Sequence, residues 1–182
     1  MTGHEFILFD TPIGRCGIAW GARGIAAVQL PERSERATRA RMLRLLPDAC
    51  EAAPPPEVRR ALDRILALLR GEAVDLTDIV LDMDRLPAFD RRVYEVARTI
   101  PPGATLSYGE IATRLGERGA ARDVGQALGR NPFAIVVPCH RVVAAGGKLG
   151  GFSARGGVST KLRLLSIERA TVNGMRSLFD RA

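Results

Sequence analysis

A thiol and an imidazole stand next to each other in the second half of the chain, as Cys139 and His140. A thiolate is a strong nucleophile, but an ordinary cysteine is mostly protonated at neutral pH and needs a neighbouring base or positive surroundings. His140 and the following Arg141 offer both. The pair therefore predicts a reactive thiol, while a buried inert cysteine and a hydrogen-bonded structural histidine are the alternatives that these residues leave open.

The residues before this pair determine how rigidly it is held. Residues 134–137 read Ala-Ile-Val-Val, a short apolar run that predicts a buried strand ending at Pro138. A site at the end of a core strand is preorganised. Neighbouring side chains on a strand point to opposite faces, so His140 is expected to reach Cys139 only through a bend or a bridging water.

Length and composition set the frame for this site. The chain has 182 residues, 46% of them hydrophobic and 26% charged, which predicts one ordinary domain with a smaller companion and excludes disorder. It has no apolar run of the roughly 20 residues that a membrane helix needs and no basic secretory leader, so we expect a cytoplasmic protein with no membrane partner. The three scattered cysteines, Cys16, Cys50 and Cys139, exclude a disulfide framework or a paired-cysteine zinc site.

Positive charge is concentrated in the second part of the chain. The formal net charge is +7, and residues 1–100 hold 15 basic and 15 acidic side chains, whereas residues 101–182 hold 12 basic and 5 acidic ones. A basic patch confined to one region is typical of a protein with a polyanionic partner such as nucleic acid. A solvated arginine-rich face is the alternative.

The first part of the chain predicts a small antiparallel sheet followed by a helix. Apolar runs at residues 6–9, 16–20 and 25–30 are separated by glycine-containing turn signals. A helix is then expected over residues 34–46, with its arginines in solvent. The residues expected on its inward face are Ala37, Ala40, Leu43 and Leu46.

Proline separates this helix from a second one. Residues 54–56 are prolines that form a stiff connector, and Pro56 suits the first helical position. An apolar stripe then predicts an amphipathic helix that ends at Gly71, followed by a strand at residues 79–81. We place a domain boundary near residues 84–87, which gives domains 1–85 and 86–182.

The second part of the chain predicts short helices. One apolar stripe runs from Phe89 to Ile100, and the Ser107-x-x-Glu110 pattern is a capping box for a helix that ends at Gly116. A further helix covers residues 120–128. Two short helices joined by a glycine-containing turn in the most basic region favour a helix-turn-helix, with an ordinary helical hairpin as the alternative. The elements together predict an α+β fold, with a sheet domain followed by a mainly helical domain.

Several ordered motifs in this second part carry a resemblance to a known family. They are Pro102-Gly103-x-Thr105-x-Ser107-Tyr108-Gly109, Ala120-Ala121-Arg122-x-Val124-Gly125, Asn131-Pro132, Pro138-Cys139-His140-Arg141-Val142 and Gly150-Gly151-Phe152-Ser153, followed by Lys161 and Glu168. The chain resembles the O6-alkylguanine-DNA alkyltransferases, also called methylated-DNA–protein-cysteine methyltransferases, from residue 89 to residue 168. The first 85 residues match only in general character.

The resemblance implies a role for each matching residue of the active site. Cys139 would accept the alkyl group, His140 would deprotonate it through a water, and Glu168 would orient His140. Asn131 would bridge the helix-turn-helix to the site. Tyr108 would assist rotation of the damaged nucleotide out of the duplex and donate a proton to guanine. The residues expected to line the guanine pocket are Tyr108, Arg141, Val142, Phe152 and Ser153.

The resemblance also implies a fold and a mode of DNA binding. The N-terminal domain would be RNase H-like, and the C-terminal domain would carry a winged-helix-like helix-turn-helix that enters the minor groove. Arg122 would fill the gap left by the rotated nucleotide, and small residues beside it would allow close approach. The residues expected to contact DNA are Arg122, Ala121, Gly125, Tyr108 and Arg130.

The expected function is single-turnover repair of O6-alkylguanine in double-stranded DNA. The product is a thioether, which gives water no reactive carbonyl, so each molecule acts once. The transfer needs no metal or organic cofactor, and His4, Cys16 and Cys50 lack a recognisable zinc-ligand spacing. We expect a monomer, and we leave open O4-alkylthymine as a substrate and cooperative binding to DNA.

Two positions depart from the family pattern. Phe152 stands where many relatives have tyrosine, so a hydroxyl contact is lost. Asp123 stands where a small alanine is common, and its carboxylate should weaken DNA binding unless Arg118 or Arg130 offsets it. A non-catalytic lesion-binding or regulatory protein and a thiol hydrolase built on Cys139, His140 and Glu168 are the competing functions.

Overall fold

The structure is a computed structural model that describes residues 3–172. Its first element is a four-stranded sheet. Three antiparallel strands, β1 (Glu5–Thr11), β2 (Gly14–Gly21) and β3 (Gly24–Gln29), follow one another as the apolar runs predict. The sequence analysis missed a short fourth strand, β4 (Cys50–Glu51), which pairs in parallel with β1 and gives the order β3-β2-β1-β4.

The turn between β2 and β3 requires glycine at position 24. Gly24 has φ +118°, and a Cβ atom there would lie 2.5 Å from the carbonyl oxygen of Val80. This close approach lets Ile25 N–H donate to Val80 O at 2.9 Å and Asp82 N–H donate to Ile25 O at 2.8 Å. The strand expected at residues 79–81 is wrong, because only a single bridge between Ile25 and Leu81 forms at this edge.

Helix α1 (Glu35–Leu45) begins where the sequence predicts, but it is rotated relative to the predicted inward face. Ser34 caps it by accepting a hydrogen bond from Ala37 N–H at 3.2 Å. Thr38 and Met42 are the buried residues of the helix, and Leu46 after it is also buried. Ala40 is exposed, so its assignment to the inward face is wrong, and Ala37 and Leu43 are only partly buried. Alanine gives little hydrophobic energy on burial, so the larger Met42 decides the orientation.

Helix α2 (Pro56–Leu69) packs across the sheet. It begins at the predicted proline and ends two residues before the predicted Gly71. Its apolar stripe belongs to a buried cluster that also contains sheet residues such as Ile18 and Val28. Full burial of each large aliphatic side chain contributes roughly 1.5–3 kcal/mol, which explains why this stripe holds the helix on the sheet.

The second part of the chain is mainly helical, as predicted. Helix α3 (Ala88–Arg98) packs with α4 (Tyr108–Arg114) and α5 (Ala121–Gly129), and α6 (Val158–Ile167) comes last. Two short strands, β5 (Leu106–Ser107) and β6 (Val142–Val143), pair in parallel. The capping box of α4 is confirmed: Glu110 N–H donates to the Ser107 hydroxyl at 3.1 Å, and Ser107 N–H donates to the Glu110 carboxylate at 2.6 Å.

The segment that leads to Cys139 is a turn, so the strand expected at residues 134–137 is wrong. Ile135 has φ +73°, in the left-handed region, and a 3-10 turn over Cys139–Arg141 follows. A run of four apolar residues has no periodicity that separates a strand from a buried turn. Ile135 and Val136 instead join the core of the N-terminal sheet.

Backbone hydrogen bonds tie this turn to the sheet. Val28 N–H donates to Pro132 O at 2.8 Å, and Ala134 N–H donates to Val28 O at 3.2 Å. The edge of β3 therefore supports the segment that precedes the active-site motif. Across the described residues, no helix has the length and apolarity needed to cross a membrane.

Candidate active site

Cys139 begins the 3-10 turn and lies at the wall of a cavity of about 310 Å³. Its side chain is partly buried, whereas Cys16 is fully buried in the sheet and Cys50 is exposed. Burial raises the pKa of the Cys16 thiol to about 12, against a smaller opposing effect of Thr11. Cys16 is therefore an inert core thiol, and Cys139 is the cysteine of the three that borders this cavity.

Asn131 clamps the turn before Cys139 from both ends. Its Nδ2 donates to Val137 O at 2.9 Å, and its Oδ1 accepts from Phe133 N–H at 2.9 Å. Asn131 directly follows Arg130, the C-cap residue of α5. The amide thus fixes the distance between the helix-turn-helix and the thiol, which is the bridging position expected for it.

His140 and Arg141 converge on one buried carboxylate. His140 Nε2 lies 2.9 Å from Glu168 Oε1, and Arg141 donates to both Glu168 oxygens, from Nε at 2.9 Å and from Nη2 at 2.7 Å. Arg141 Nη1 also donates to Ile100 O at 2.6 Å. These side chains are at most 6% exposed. Each proton donor around Glu168 is therefore satisfied within a water-poor interior.

The ion pairs keep Glu168 ionised. Burial disfavours its charged form, but the hydrogen bonds and positive charges of His140 and Arg141 outweigh burial and lower the pKa of Glu168 to about 2. A carboxylate accepts a proton from Nε2, so the contact selects the arrangement in which Nε2 is the donor. The lone pair is then on Nδ1, a buried atom with no hydrogen-bond partner among the described residues.

Two opposing influences act on the thiol itself. Burial raises the pKa of Cys139, and hydrogen bonding from Asn131 and the positive charge of Lys161 act in the opposite direction. Asn131 and Lys161 therefore favour the thiolate that the surrounding burial disfavours. Since burial dominates, transfer requires a base to remove the proton.

Lys161 is a site residue to which the sequence analysis gave no role beyond its place in the motif order. It is completely buried, and its Nζ donates to Val142 O at 2.5 Å and to Gly151 O at 3.3 Å. Burial lowers the pKa of Lys161 to about 8, while the neighbouring Cys139 acts to raise it. A lysine on helix α6 thus joins the segments on either side of the cavity. Nothing in its local sequence pattern reveals this burial.

Tyr108, the first residue of α4, lines a hollow that also reaches Cys139. Nζ of Lys161 is 5.8 Å from its ring centroid, and a Cβ atom at Gly150 would be 3.2 Å from its hydroxyl. Burial, and to a lesser degree Cys139, raises the pKa of Tyr108 above its ordinary value. The hydroxyl therefore stays protonated at neutral pH and is available as a hydrogen-bond donor.

Helices α4 and α5 form the expected helix-turn-helix next to the thiol. A second hollow, lined on the α5 side by Ala121, Arg122 and Gly125, reaches Tyr108 and Cys139. Arg122 and the neighbouring Asp123 are both exposed, and neither makes an ion pair with a described residue. The structure thus brings Ala121, Arg122, Gly125 and Tyr108 to the same hollow as the nucleophile, and Arg130 lines the first cavity with it.

Arg130 is engaged in a different interaction. Its guanidinium donates to both oxygens of Asp90, at 3.2 and 2.9 Å, and the Asp90 side chain is only 4% exposed. Its main role in the described structure is to neutralise this buried carboxylate of α3. Its side chain is nevertheless 57% exposed and lines the cavity with Cys139, so the expected contact of Arg130 with DNA stays a prediction.

The expected base-binding residues divide into two groups. Phe152 and Ser153 line the cavity together with Cys139. Arg141 does not reach the cavity, because its guanidinium is held by Glu168 and Ile100, so its expected contact with the base is corrected. Val142 is fully buried, and its backbone already pairs with Cys139 O and with Lys161.

Among residues 3–172 there is no group of three or more histidine, cysteine, aspartate or glutamate side chains arranged to hold a metal ion. The nucleophile lines both the cavity and the second hollow, and a protonated phenol and the open helix-turn-helix face line the second hollow. A histidine anchored by a carboxylate directly follows the nucleophile in the chain. Such an arrangement can transfer a group from an extrahelical base to sulfur.

Comparisons with known proteins agree with this arrangement. Residues 88–170 match the family model for the DNA-binding domain of 6-O-methylguanine DNA methyltransferase. A methylated-DNA–protein-cysteine methyltransferase of Methanothermobacter thermautotrophicus is 37% identical over 90% of this chain and 84% of its own length. The protein of the same name from Mycobacterium tuberculosis is 39% identical over 94% of this chain and 96% of its own length.

Solved structures show the same similarity. The crystal structure of Mycobacterium tuberculosis OGT in complex with DNA superposes with a TM-score of 0.73 at 37% identity, covering 90% of this chain and 92% of that one. The similarity extends over both the sheet and the helical part.

Proposed function

The chain belongs to the family of methylated-DNA–protein-cysteine methyltransferases and repairs DNA by transferring an alkyl group to a cysteine of its own, which we propose is Cys139. The proposed substrate is O6-alkylguanine in double-stranded DNA. The observation that carries this assignment is the anchoring of His140 by Glu168 at 2.9 Å, directly beside the cysteine that borders the cavity.

The proposed reaction is a single displacement at carbon. Nδ1 of His140 takes the thiol proton of Cys139 through a water, and the sulfur attacks the alkyl carbon attached to O6 of guanine. A carbon–sulfur bond forms as the carbon–oxygen bond breaks, and its electron pair leaves with guanine. The Tyr108 hydroxyl donates a proton to the purine, so the leaving group is neutral. Lys161 supports the anionic stage at sulfur by its positive charge.

DNA would approach from the side of helix α5. Its small residues Ala121 and Gly125 permit close contact with the minor groove, and Arg122 would enter the duplex where the damaged nucleotide has rotated out. Removing a base from the stack costs a few kcal/mol, and less for a poorly paired lesion. Phe152 and Ser153 would then contact the base in the cavity.

Further properties are proposed on the same basis. We place the protein in the cytoplasm with the genomic DNA, acting as a monomer that is consumed by one transfer. Residues 1–85 and 86–182 are proposed as separate domains, with limited proteolysis between them as the test. Two further properties to test are activity on O4-alkylthymine and cooperative binding to DNA.

Mass spectrometry tests the central proposal. The protein is incubated with a duplex that contains one O6-methylguanine, and a gain of about 14 Da on the peptide with Cys139 is expected. Cys139→Ser should bind the same duplex without taking up the group. Binding without any gain in mass would indicate a non-catalytic lesion-binding protein, and repeated turnover of an ester would indicate a thiol hydrolase. Either result would overturn the proposal.

A further inference from the structure

We propose that helix α1, in the N-terminal half, supplies a second DNA-contacting surface that holds the sugar–phosphate backbone beside the rotated nucleotide. The inference rests on the proposed function, since it extends the DNA site at Cys139. We call this surface the arginine groove. Its basic residues are Arg33, Arg36, Arg41, Arg44 and Arg155.

The arginine groove is continuous with the active-site cavity. Arg41 and Arg44 line the cavity that contains Cys139, and they also line the adjoining groove of about 920 Å³. Ser153 belongs to both as well. The path therefore leads from the helix-turn-helix face, past Cys139 and Ser153, onto α1. A nucleotide seated at Cys139 remains attached to phosphates on both sides, and these must leave the cavity along such a path.

The charges of the arginine groove are largely uncompensated. Glu32 is its one acidic lining residue and lies 3.5 Å from Arg41. The other four arginines make no ion pair and no side-chain hydrogen bond with any residue in the part of the chain that the structure describes. Arg39, on another side of α1, is neutralised because it pairs with both Glu35 and Glu51. Free positive charge is thus confined to the side that borders the cavity.

The unpaired arginines fit the phosphates of a DNA backbone better than they fit a protein partner. Guanidinium groups are always charged and bind phosphate oxygens in pairs. Arg36 and Arg44 are eight residues apart on α1, which is about 12 Å along the axis. That distance exceeds the spacing of neighbouring phosphates, because each strand carries one phosphate per roughly 3.4 Å of duplex axis, so the two arginines can reach different phosphates. A second copy of this chain, with its net charge of +7, would be repelled.

The sequence analysis assigned these arginines to a solvent face, and the charge count explains why. Residues 1–100 are neutral overall, so their basic side chains give no net signal. Only the fold separates the paired arginines of α1 from the unpaired ones. The same fold places the unpaired ones next to a loop of the other half, at Ser153 and Arg155.

The experiment compares the salt dependence of DNA binding in two double variants. Arg36→Ala/Arg44→Ala removes two charges of the groove, and Arg59→Ala/Arg70→Ala removes two exposed charges on or next to α2 as the matched control. Each is titrated with a short unmodified duplex that accommodates one protein molecule, at several salt concentrations. If both groove arginines contact phosphates, the slope of log affinity against log salt falls by about 2 in magnitude. Affinity near 0.1 M salt falls at least about tenfold, and the control matches the wild type.

Two outcomes overturn the inference. A groove variant with the same slope and affinity as the control shows that α1 does not contact the backbone. A groove variant that binds the short duplex normally, but loses cooperative occupancy of a long duplex, shows that the surface contacts protein instead. Methyl uptake by the wild-type Cys139 is measured in parallel. Its absence would refute the proposed function, whereas uptake together with an unchanged slope would refute the arginine groove alone.

Discussion

His140 and Glu168, 28 positions apart in the chain, are joined by a contact of 2.9 Å between Nε2 and Oε1. The contact occupies Nε2 and leaves Nδ1 without a hydrogen-bond partner among the described residues, so Nδ1 is the nitrogen proposed for proton transfer. Arg141 supports the same carboxylate from its other side. One buried anion therefore sets the orientation of His140 and the ring nitrogen that acts as donor.

Replacing Glu168 by glutamine should destabilise the protein and slow alkyl transfer. The variant leaves the buried Arg141 without its counter-charge, and breaking a buried pair of this kind costs about 3–5 kcal/mol. His140 would also lose its strongest orienting partner. Urea unfolding at pH 7 and single-turnover transfer rates measure the two effects. Glu72→Gln, at an exposed position, is the control and should change neither quantity.

The lowered pKa of Glu168 predicts that the free energy of unfolding falls at acid pH. Folding lowers the pKa of Glu168 from an ordinary 4.5 to about 2, so its contribution is complete above pH 4.5 and is lost as the pH falls toward 2. A lowering of this size corresponds to about 3 kcal/mol. The difference in unfolding free energy between wild type and Glu168→Gln should therefore shrink between pH 4.5 and 2. A constant difference over that range would contradict the assignment.

Replacing Lys161 by methionine should make the thiol harder to ionise. The buried ammonium favours the Cys139 thiolate, so its removal shifts the pH dependence of Cys139 alkylation by iodoacetamide to higher pH. Since folding lowers the pKa of Lys161 to about 8, the wild type should gain stability relative to the variant as the pH rises from about 8 to 10.5. An unchanged alkylation profile would assign Lys161 a purely structural role. Urea unfolding of both proteins across this pH range measures the second effect.

Replacing Arg122 by alanine should impair repair of duplex DNA more than reaction with the free base O6-benzylguanine. The free base needs no rotation out of a stack, whereas the duplex does at a cost of a few kcal/mol. A loss of about 1.4 kcal/mol in that step is a tenfold slower repair. Rates of mass gain at Cys139 with the two substrates give the comparison. Equal losses on both would exclude a role in base rotation.

Replacing Asp123 by alanine should strengthen DNA binding. Asp123 is exposed beside Arg122, and within residues 3–172 it forms no ion pair, because Arg130 is held by Asp90. In the proposed complex its carboxylate would lie near phosphate and repel it. Titration of wild type and variant with the same duplex at low and high salt should show a gain of several-fold that shrinks as salt screens the charge. A weaker variant would mean that Asp123 has an ordering role on α5.

Local signals predicted the parts of this fold that local chemistry controls. Ser107 and Glu110 satisfy backbone groups within one turn, so the start of α4 can be predicted from four residues. The three antiparallel strands are marked by glycine turns in the same way. The turn at residues 134–137 could not be predicted from local signals, because it is imposed by Asn131 and by the edge of β3 rather than by its own residues.

The site shows the same division between local and distant determinants. The adjacent Cys139 and His140 suggest a reactive thiol from their types alone. Their partner Glu168 comes from the far end of α6, and no periodicity relates it to them, so only the family resemblance pointed to it. Burial of Lys161 and the engagement of Arg130 with Asp90 depend on tertiary packing, which spacing does not reveal.

The two hydrogen bonds between Val28 and the turn before Cys139 are made entirely by main-chain atoms. The apolar contacts of Ile135 and Val136 with the sheet core depend on the side chains of both halves. The two hydrogen bonds instead require only an extended residue with a free N–H at position 28, so they brace the catalytic half whatever side chain that residue carries. Proline there would remove the donor and disconnect the brace.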